Sequence, residues 1–252
     1  MRLFLAAKAV ATAAATAGGG GTFTNPVIGA SCGSNGPKSW ALTGCETPDP
    51  GVTRLGDSAS SGSARWLALT TTQDANETFA RHESSDLAVW TPAGHVWNST
   101  TRPSWGTGNW FAPELHHVGQ RWILVFSATW SANGKQAIGA AFAHSAGGPF
   151  IDSGAPIAVP HNNTNDPTLA HVGDTLWLVY KAKSPDRIFA QRVEPAGVPT
   201  RLQPSGEAVE LISADRPWEN KCVEAPWLVT NAPNSPWIYL FCKSLVPPQH
   251  LN

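Results

Sequence analysis

Three carboxylates stand at matching places in the sequence. Asp49 opens "DPGVTRLGD", Asp166 opens "DPTLAHVGDTLWLVYK", and Glu224 stands just ahead of "APWLV". An acid among apolar neighbours is costly unless it is paired or put to use. One chemistry that uses such a set is glycosidic-bond cleavage. It needs a protonated carboxyl at the leaving oxygen and an ionised carboxylate acting as base or nucleophile. Nearby negative charge and apolar flanks raise an acid's pKa and so keep its proton on near neutral pH. Glu224 lies between Val223 and Ala225-Pro226-Trp227, the most apolar flanks of the three, and is therefore the expected proton donor. Asp-Pro is also a common turn dipeptide, because Asp tolerates turn geometry and Pro presets φ. Either Asp taken alone reads as well as a turn residue.

What brings the three together is a repeat. Four segments share one grammar of proline, apolar run, polar turn and Trp-led strand. Their prolines are Pro50, Pro113, Pro167 and Pro226, at intervals of 63, 54 and 59 residues, and their tryptophans are Trp66, Trp122, Trp177 and Trp237. Each unit predicts a β-hairpin. In the first three units, third strands follow in "TFARHES", "QAIGAAFAHS" and "RIFAQRV", and weaker fourth strands around "GHVW", "APIAV" and "EAVELI". Four strands per unit at this period predict an all-β propeller. A β-sandwich also has many short strands but does not call for the proline-to-Trp grammar. About three and a half blades fit before Asn252, with "GTFTNPVI" as the strand that would complete the last blade. Innermost strands of successive blades start around one channel mouth, so Asp49, Ala112, Asp166 and, one residue earlier in its unit, Glu224 are expected to converge there.

Composition narrows the class. The 252 residues carry 17 basic and 18 acidic side chains, well mixed, for a net charge of -1. No basic stripe points to nucleic acid, and no stretch reaches the roughly 18 apolar residues of a membrane span. Charged residues make up 14%, against roughly 25% in an average domain, so polarity rests on Ser, Thr, Asn and Gly. The 12 Trp suit a core and also suit stacking on a sugar ring. Residues 1–17 read as a secretory signal, with Arg2, an Ala-rich run and a small-residue cleavage site at Ala15-Thr16-Ala17. Sequons at Asn76, Asn98 and Asn162 agree with export. Four cysteines allow two disulfides: Cys32 with Cys45 across a 12-residue loop, and Cys222 with Cys242 across a hairpin beside Glu224.

In order and at blade spacing, "TNPVI", "PDPGVTRLGD", "SSDLAVW", "NWFAPELHHVGQRWILVFSA", "GGPFIDSG", "NDPTLAHVGDTLWLVYK", "IFAQRV" and "VEAPWLV" resemble glycoside hydrolase family 43 from about Thr22 to Ser244. That resemblance implies a five-bladed propeller that cleaves arabinose- and xylose-containing polysaccharides with inversion. It implies Asp49 as general base, Glu224 as general acid, and Asp166 as the residue that tunes the acid's pKa and orients the sugar. It implies Trp110 and Phe111 as sugar-pocket residues, for which core packing is the alternative. No cofactor is expected to be required. A structural ion in the channel is possible in the family, but its ligand from a fifth blade is not in this sequence, where residues 245–252 form a non-propeller tail. Asn165 and Ala225 depart from the family, which favours an aliphatic residue and a glycine there.

The expectation is thus a secreted, monomeric glycosidase with plant cell-wall polysaccharide as its partner and α-L-arabinofuranosyl linkages as its target. A β-xylosidase is the alternative within the class. A non-catalytic carbohydrate-binding propeller, or an inactive paralogue lacking its fifth blade, is the alternative outside it. Three other signals are set aside. Ser31 in "GASCG" has no helix after it to make a nucleophile elbow. His116 and His117 are adjacent and face opposite sides of a strand. Glu114 in "APEL" is expected to be a structural hydrogen-bonder.

Overall fold

The computed structural model describes residues 3–5, 48–57, 64–72, 76–197, 200–230 and 237–244. It forms two compact units, one spanning Ala7–Arg102 and the other Met1–Ala6 with Pro103–Asn252. The first unit holds one antiparallel sheet in chain order: β2 (Gly51–Asp57), β3 (Ala64–Thr70), β4 (Glu77–Ser84) and β5 (Thr91–Asn98). Leu67, Leu69 and Phe79 are buried along it, and Phe79 packs on Trp97 with ring centroids 5.9 Å apart.

The second unit repeats the pattern. One sheet is β6 (Phe111–Val118), β7 (Arg121–Thr129), β8 (Gln136–Ala143) and β9 (Ile151–Asp152). The next is β10 (Thr164–Val172), β11 (Thr175–Ala182), β12 (Arg187–Ala196) and β13 (Arg201–Ser213). The last is the hairpin β14 (Glu224–Val229) and β15 (Ile238–Lys243), with β1 (Leu3–Leu5) parallel to β15. The strand that "GTFTNPVI" was expected to add, and the Cys32–Cys45 bond, lie outside the described residues. Three four-stranded meanders and a hairpin match the strand count read from the sequence, but the fourth strand of the second repeat is Ile151–Asp152 rather than "APIAV", which forms no strand. Both first hairpin turns of the second unit place a glycine first, Gly119 at φ 61° and Gly173 at φ 60°. A two-residue turn of the II′ kind needs that left-handed first residue.

Period-two alternation decides which sheet meets which. On β11, Leu176, Leu178, Tyr180 and Ala182 join Ile123, Val125, Ile138 and Phe142 of the preceding sheet in one core. The intervening residues Trp177 and Val179 face the other way, into a second core with Val223, Leu228 and Cys242 at the last hairpin. Lys181 falls on this second side by the same alternation.

Each innermost strand begins with a backbone irregularity. The residues before the four repeat prolines, Asp49, Ala112, Asp166 and Ala225, have φ of 50°, 47°, 52° and 51°. In the second unit the ladders skip these X-Pro pairs: pairing jumps from Phe111 to Glu114, from Asn165 to Thr168 and from Glu224 to Trp227. Proline has no N–H for a ladder, so it sits in a bulge. The left-handed conformation costs a non-glycine residue roughly 1–2 kcal/mol, and neighbouring sheets supply bonds that hold it. The N–H of Asp166 donates to Ser127 Oγ at 3.1 Å, and the N–H of Ala225 donates to Asp166 Oδ2 at 3.0 Å.

A further tie joins β10 to β6, where the Leu169 N–H donates to His116 Nε2 at 3.2 Å. His117, next along the strand, is exposed and stacks on Trp122, so the two histidines do face opposite sides. Burial and the nearby His171 push the His116 pKa down to about 4 from 6.5. A histidine with a depressed folded pKa stays neutral in the folded chain while the unfolded chain takes up a proton. Stability is therefore present above about pH 6.5 and is lost as pH falls toward about 4, by roughly 3 kcal/mol. Urea unfolding of the wild type across this range is expected to show that loss, and His116→Gln, which keeps an acceptor but does not titrate, is expected to flatten it.

Candidate functional site

The site grows from the bulges. In a strand with an X-Pro bulge, the residue before the bulge is the last one in normal register. Those residues are Phe111, paired with Ser127, then Asn165, paired with Lys181, and Glu224, paired with Lys243. Ser127, Lys181 and Lys243 are thus equivalent positions on the second strands of successive sheets. Glu224 occupies the register position of Asn165, and Ala225 occupies that of Asp166, which is the one-residue offset expected from the sequence.

Asp166 and Glu224 come together through backbone. Asp166 Oδ2 accepts the Ala225 N–H, and its Oδ1 accepts Asn165 Nδ2 at 2.8 Å. The third sheet's carboxylate therefore fixes the peptide that follows Glu224. Asp49 belongs to the other unit. There its Oδ2 accepts from Thr71 Oγ1 at 3.0 Å, the Thr71 N–H donates to Pro48 O at 3.0 Å, and the side chain is exposed.

Glu224 departs from expectation. Its carboxylate is not in an apolar setting: Lys181 Nζ lies 3.1 Å from Oε2 and Lys243 Nζ lies 3.1 Å from Oε1. Burial pushes its pKa up, but hydrogen bonds and charge from Lys243 and Lys181 outweigh this and hold the carboxyl below its ordinary value. The acid is ionised at rest rather than kept protonated by apolar neighbours. Lys181 is nearly enclosed, its side chain 4% exposed, and also contacts Asp186 Oδ2 at 2.7 Å. Burial alone lowers a lysine's pKa, but bonds to Asp186 and Glu224 reverse this and raise it. The two lysines and Asp186 were not picked out from the sequence. The available signal was a lysine inside the apolar strand "LWLVYKA", since lysine is rarely buried without a partner.

Three other expectations change. Trp110 is 3% exposed and packs between Trp105 and Phe126, at centroid separations of 6.3 and 5.9 Å. It is a core residue rather than a sugar platform, its ring enclosed next to Phe126 of β7. Phe111 is partly exposed at the start of β6. Glu114 Oε2 is buried without a hydrogen-bond partner, so that oxygen does not serve the structural hydrogen-bonding expected of it, and burial raises the carboxyl's pKa well above normal. Cys222 and Cys242 are free thiols. The bulge sets Cys242 opposite Ala225-Pro226 and leaves Cys222 beyond the Glu224–Lys243 pair, so the expected cross-strand bond does not form. Among the described residues no group of three or more His, Cys, Asp or Glu is placed to hold a metal ion. The donor set for a channel ion is not assembled there.

An all-β chain of up-and-down four-stranded sheets, their inner strands opened by X-Pro bulges, defines the class as a β-propeller. The chain belongs to glycosyl hydrolases family 43, whose model matches residues 45–243. Solved structures share the fold. A thermostable family-43 glycoside hydrolase is 22% identical over 73% of this chain and 60% of its own, with a TM-score of 0.60. The endo-arabinase of Bacteroides thetaiotaomicron is 20% identical over 74% of this chain and 61% of its own, at 0.54. The α-L-arabinofuranosidase of Lactobacillus brevis is 16% identical over 82% and 62%, at 0.59. The chain thus spans about three fifths of the length of these relatives. No curated protein matches it in sequence.

Two outcomes follow from this geometry. Asp166→Ala is expected to speed amide exchange at Ala225 at least about tenfold, because a hydrogen bond to a charged acceptor contributes roughly 1.5–3 kcal/mol. Exchange mass spectrometry should find the peptide over β8 unchanged. Alkylation of the unfolded, unreduced chain is expected to label both Cys222 and Cys242.

Proposed function

We propose that this chain is a secreted inverting glycosidase acting on α-L-arabinofuranosyl linkages of arabinan and arabinoxylan. Asp49 takes a proton from water as that water attacks the anomeric carbon. Glu224 gives a proton to the departing glycosidic oxygen, and Asp166 holds the Glu224 backbone in place. The observation that carries the reading is the Asp166–Ala225 bond, which ties the Asp166 carboxylate to the peptide that follows Glu224 and sets the two acids one register position apart on neighbouring strands. The arabinan-directed names of two solved relatives support the substrate class. A relative described as a xylan β-1,4-xylosidase keeps the xyloside reading beside it. Export and glycosylation are supported by the exposure of Asn76, Asn98 and Asn162.

One observation favours a second reading, a non-catalytic carbohydrate-binding propeller. Both Glu224 oxygens are occupied by lysines, and a carboxylate so held resists protonation.

The test is hydrolysis of aryl α-L-arabinofuranoside, aryl β-xyloside and linear arabinan by the chain and by Glu224→Gln and Asp49→Asn. Either substitution is expected to cost at least about 10²-fold in kcat/KM, the scale of general acid–base catalysis. A general acid works only while protonated, so a Glu224 carboxyl held below its ordinary value is expected to place the alkaline limb of kcat/KM in the acid range. Stability runs the other way. The ionised pairs are present above the ordinary Glu pKa and are lost as pH falls through the depressed one. Oligosaccharide binding without cleavage of any of the three substrates would leave the binding reading.

A further inference from the structure

Lys181 lies where two successive sheets meet and touches carboxylates from both directions. It projects from β11, on the face shared by Trp177 and Val179, toward the last hairpin. Its ammonium is 2.7 Å from Asp186 Oδ2, in the turn after β11, and 3.1 Å from Glu224 Oε2 at the start of β14. The side chain is 4% exposed, Asp186 18% and Glu224 24%, so this contact is screened far less than a surface pair. Lys243, the other cation on Glu224, is 62% exposed, so its charge is more strongly screened by solvent.

We propose, building on the catalytic reading above, that Lys181 is the positioning residue that aims the Glu224 carboxyl and sets the pH at which it takes up a proton, with Asp186 acting as the counterweight. One ammonium is shared by two acids. Whatever charge Asp186 takes from Lys181 is withheld from Glu224, so the two acids compete for one cation. The groups facing Glu224 are Lys181 from β11, Lys243 from β15, Asp186 from the β11–β12 turn, the Cys222 thiol from the segment before β14, and Asp166 from β10 through the Ala225 peptide. Among these, Lys181 is the enclosed cation, and its position is dictated by strand alternation rather than by a flexible surface stem.

The arrangement gives two opposite predictions. Lys181→Met removes the cation, and the proton-uptake midpoint of Glu224 is expected to rise by on the order of one pH unit or more, the scale for an opposite charge within hydrogen-bonding distance. Asp186→Asn leaves Lys181 charged and wholly available to Glu224, so the midpoint is expected to fall. Lys181→Arg is expected to stay close to wild type. The measurement is carboxyl-carbon NMR titration of glutamate-labelled full-length chain, with the Glu224 signal assigned by its absence in Glu224→Gln and the fold of each variant checked by near-ultraviolet circular dichroism. Where hydrolysis is measurable, the alkaline limb of kcat/KM is expected to move up for Lys181→Met and down for Asp186→Asn.

A merely structural lysine would lower activity in both variants and shift the midpoint in neither. That result, or a shift of both midpoints in one direction, overturns the proposal. Should Lys181→Met fail to fold, the downward shift in Asp186→Asn decides alone, and its absence overturns the proposal. If the wild type cleaves no glycoside while the midpoints move as stated, the catalytic reading falls and the role of Lys181 stands.

Discussion

Proline has no hydrogen to give a β-ladder, and the inner strands of this chain are built around that deficit. Three of them accommodate the proline in a bulge, the first begins just after Pro50, and in all four the residue before the proline is driven into the left-handed region. This conformation is unfavourable for Asp and worse for Ala. It persists because the peptide N–H turned out of the ladder is taken up elsewhere, by Ser127 in one case and by Asp166 in the next. The strain and its relief thus sit in different sheets. The starts of β10 and β14 are each held from the sheet before, which is how a repeat of separate meanders delivers side chains at fixed places.

Electrostatics is layered on that scaffold. The two charged second-strand residues, Lys181 and Lys243, are equivalent by register, and both reach the same glutamate, Lys181 from the neighbouring sheet and Lys243 as the strand partner of Glu224. Glu224 is consequently surrounded by cations although its sequence neighbours are apolar. Its proton affinity is a property of two strands it is not part of.

That distinction marks what was legible in the sequence. The repeat of proline, polar turn and Trp was enough for the sheets, because turns and prolines act locally: the turns close at Gly119 and Gly173, and the prolines start their strands whatever lies around them. The offset of Glu224 relative to Asp166 was also legible, because it is counted from the same proline. The charge state of Glu224 was not, since Lys181 is 43 residues away. Trp110 was ambiguous for a similar reason. A Trp next to a strand start faces a sugar or a core depending on one backbone turn, here made at Asn109 with φ 49°. The Cys222–Cys242 expectation placed the two opposite one another, but the register pairs Glu224 with Lys243 and Trp227 with Phe241, so Cys242 faces the Ala225-Pro226 bulge and Cys222 lies beyond the paired residues.

The hairpin β14–β15 has a lasting consequence for how the molecule fails. It adds Val223, Leu228 and Cys242 to a small core, whereas the preceding two sheets share a far larger one. In order of melting, the weaker attachment goes first. When the hairpin lifts, Ala225 leaves Asp166 and Glu224 leaves Lys181 in the same event, while the meanders behind them keep their ladders. Among the described residues, Glu224 sits beside the smaller of these two cores, so a sample can remain largely β-structured after this acid has lost its place.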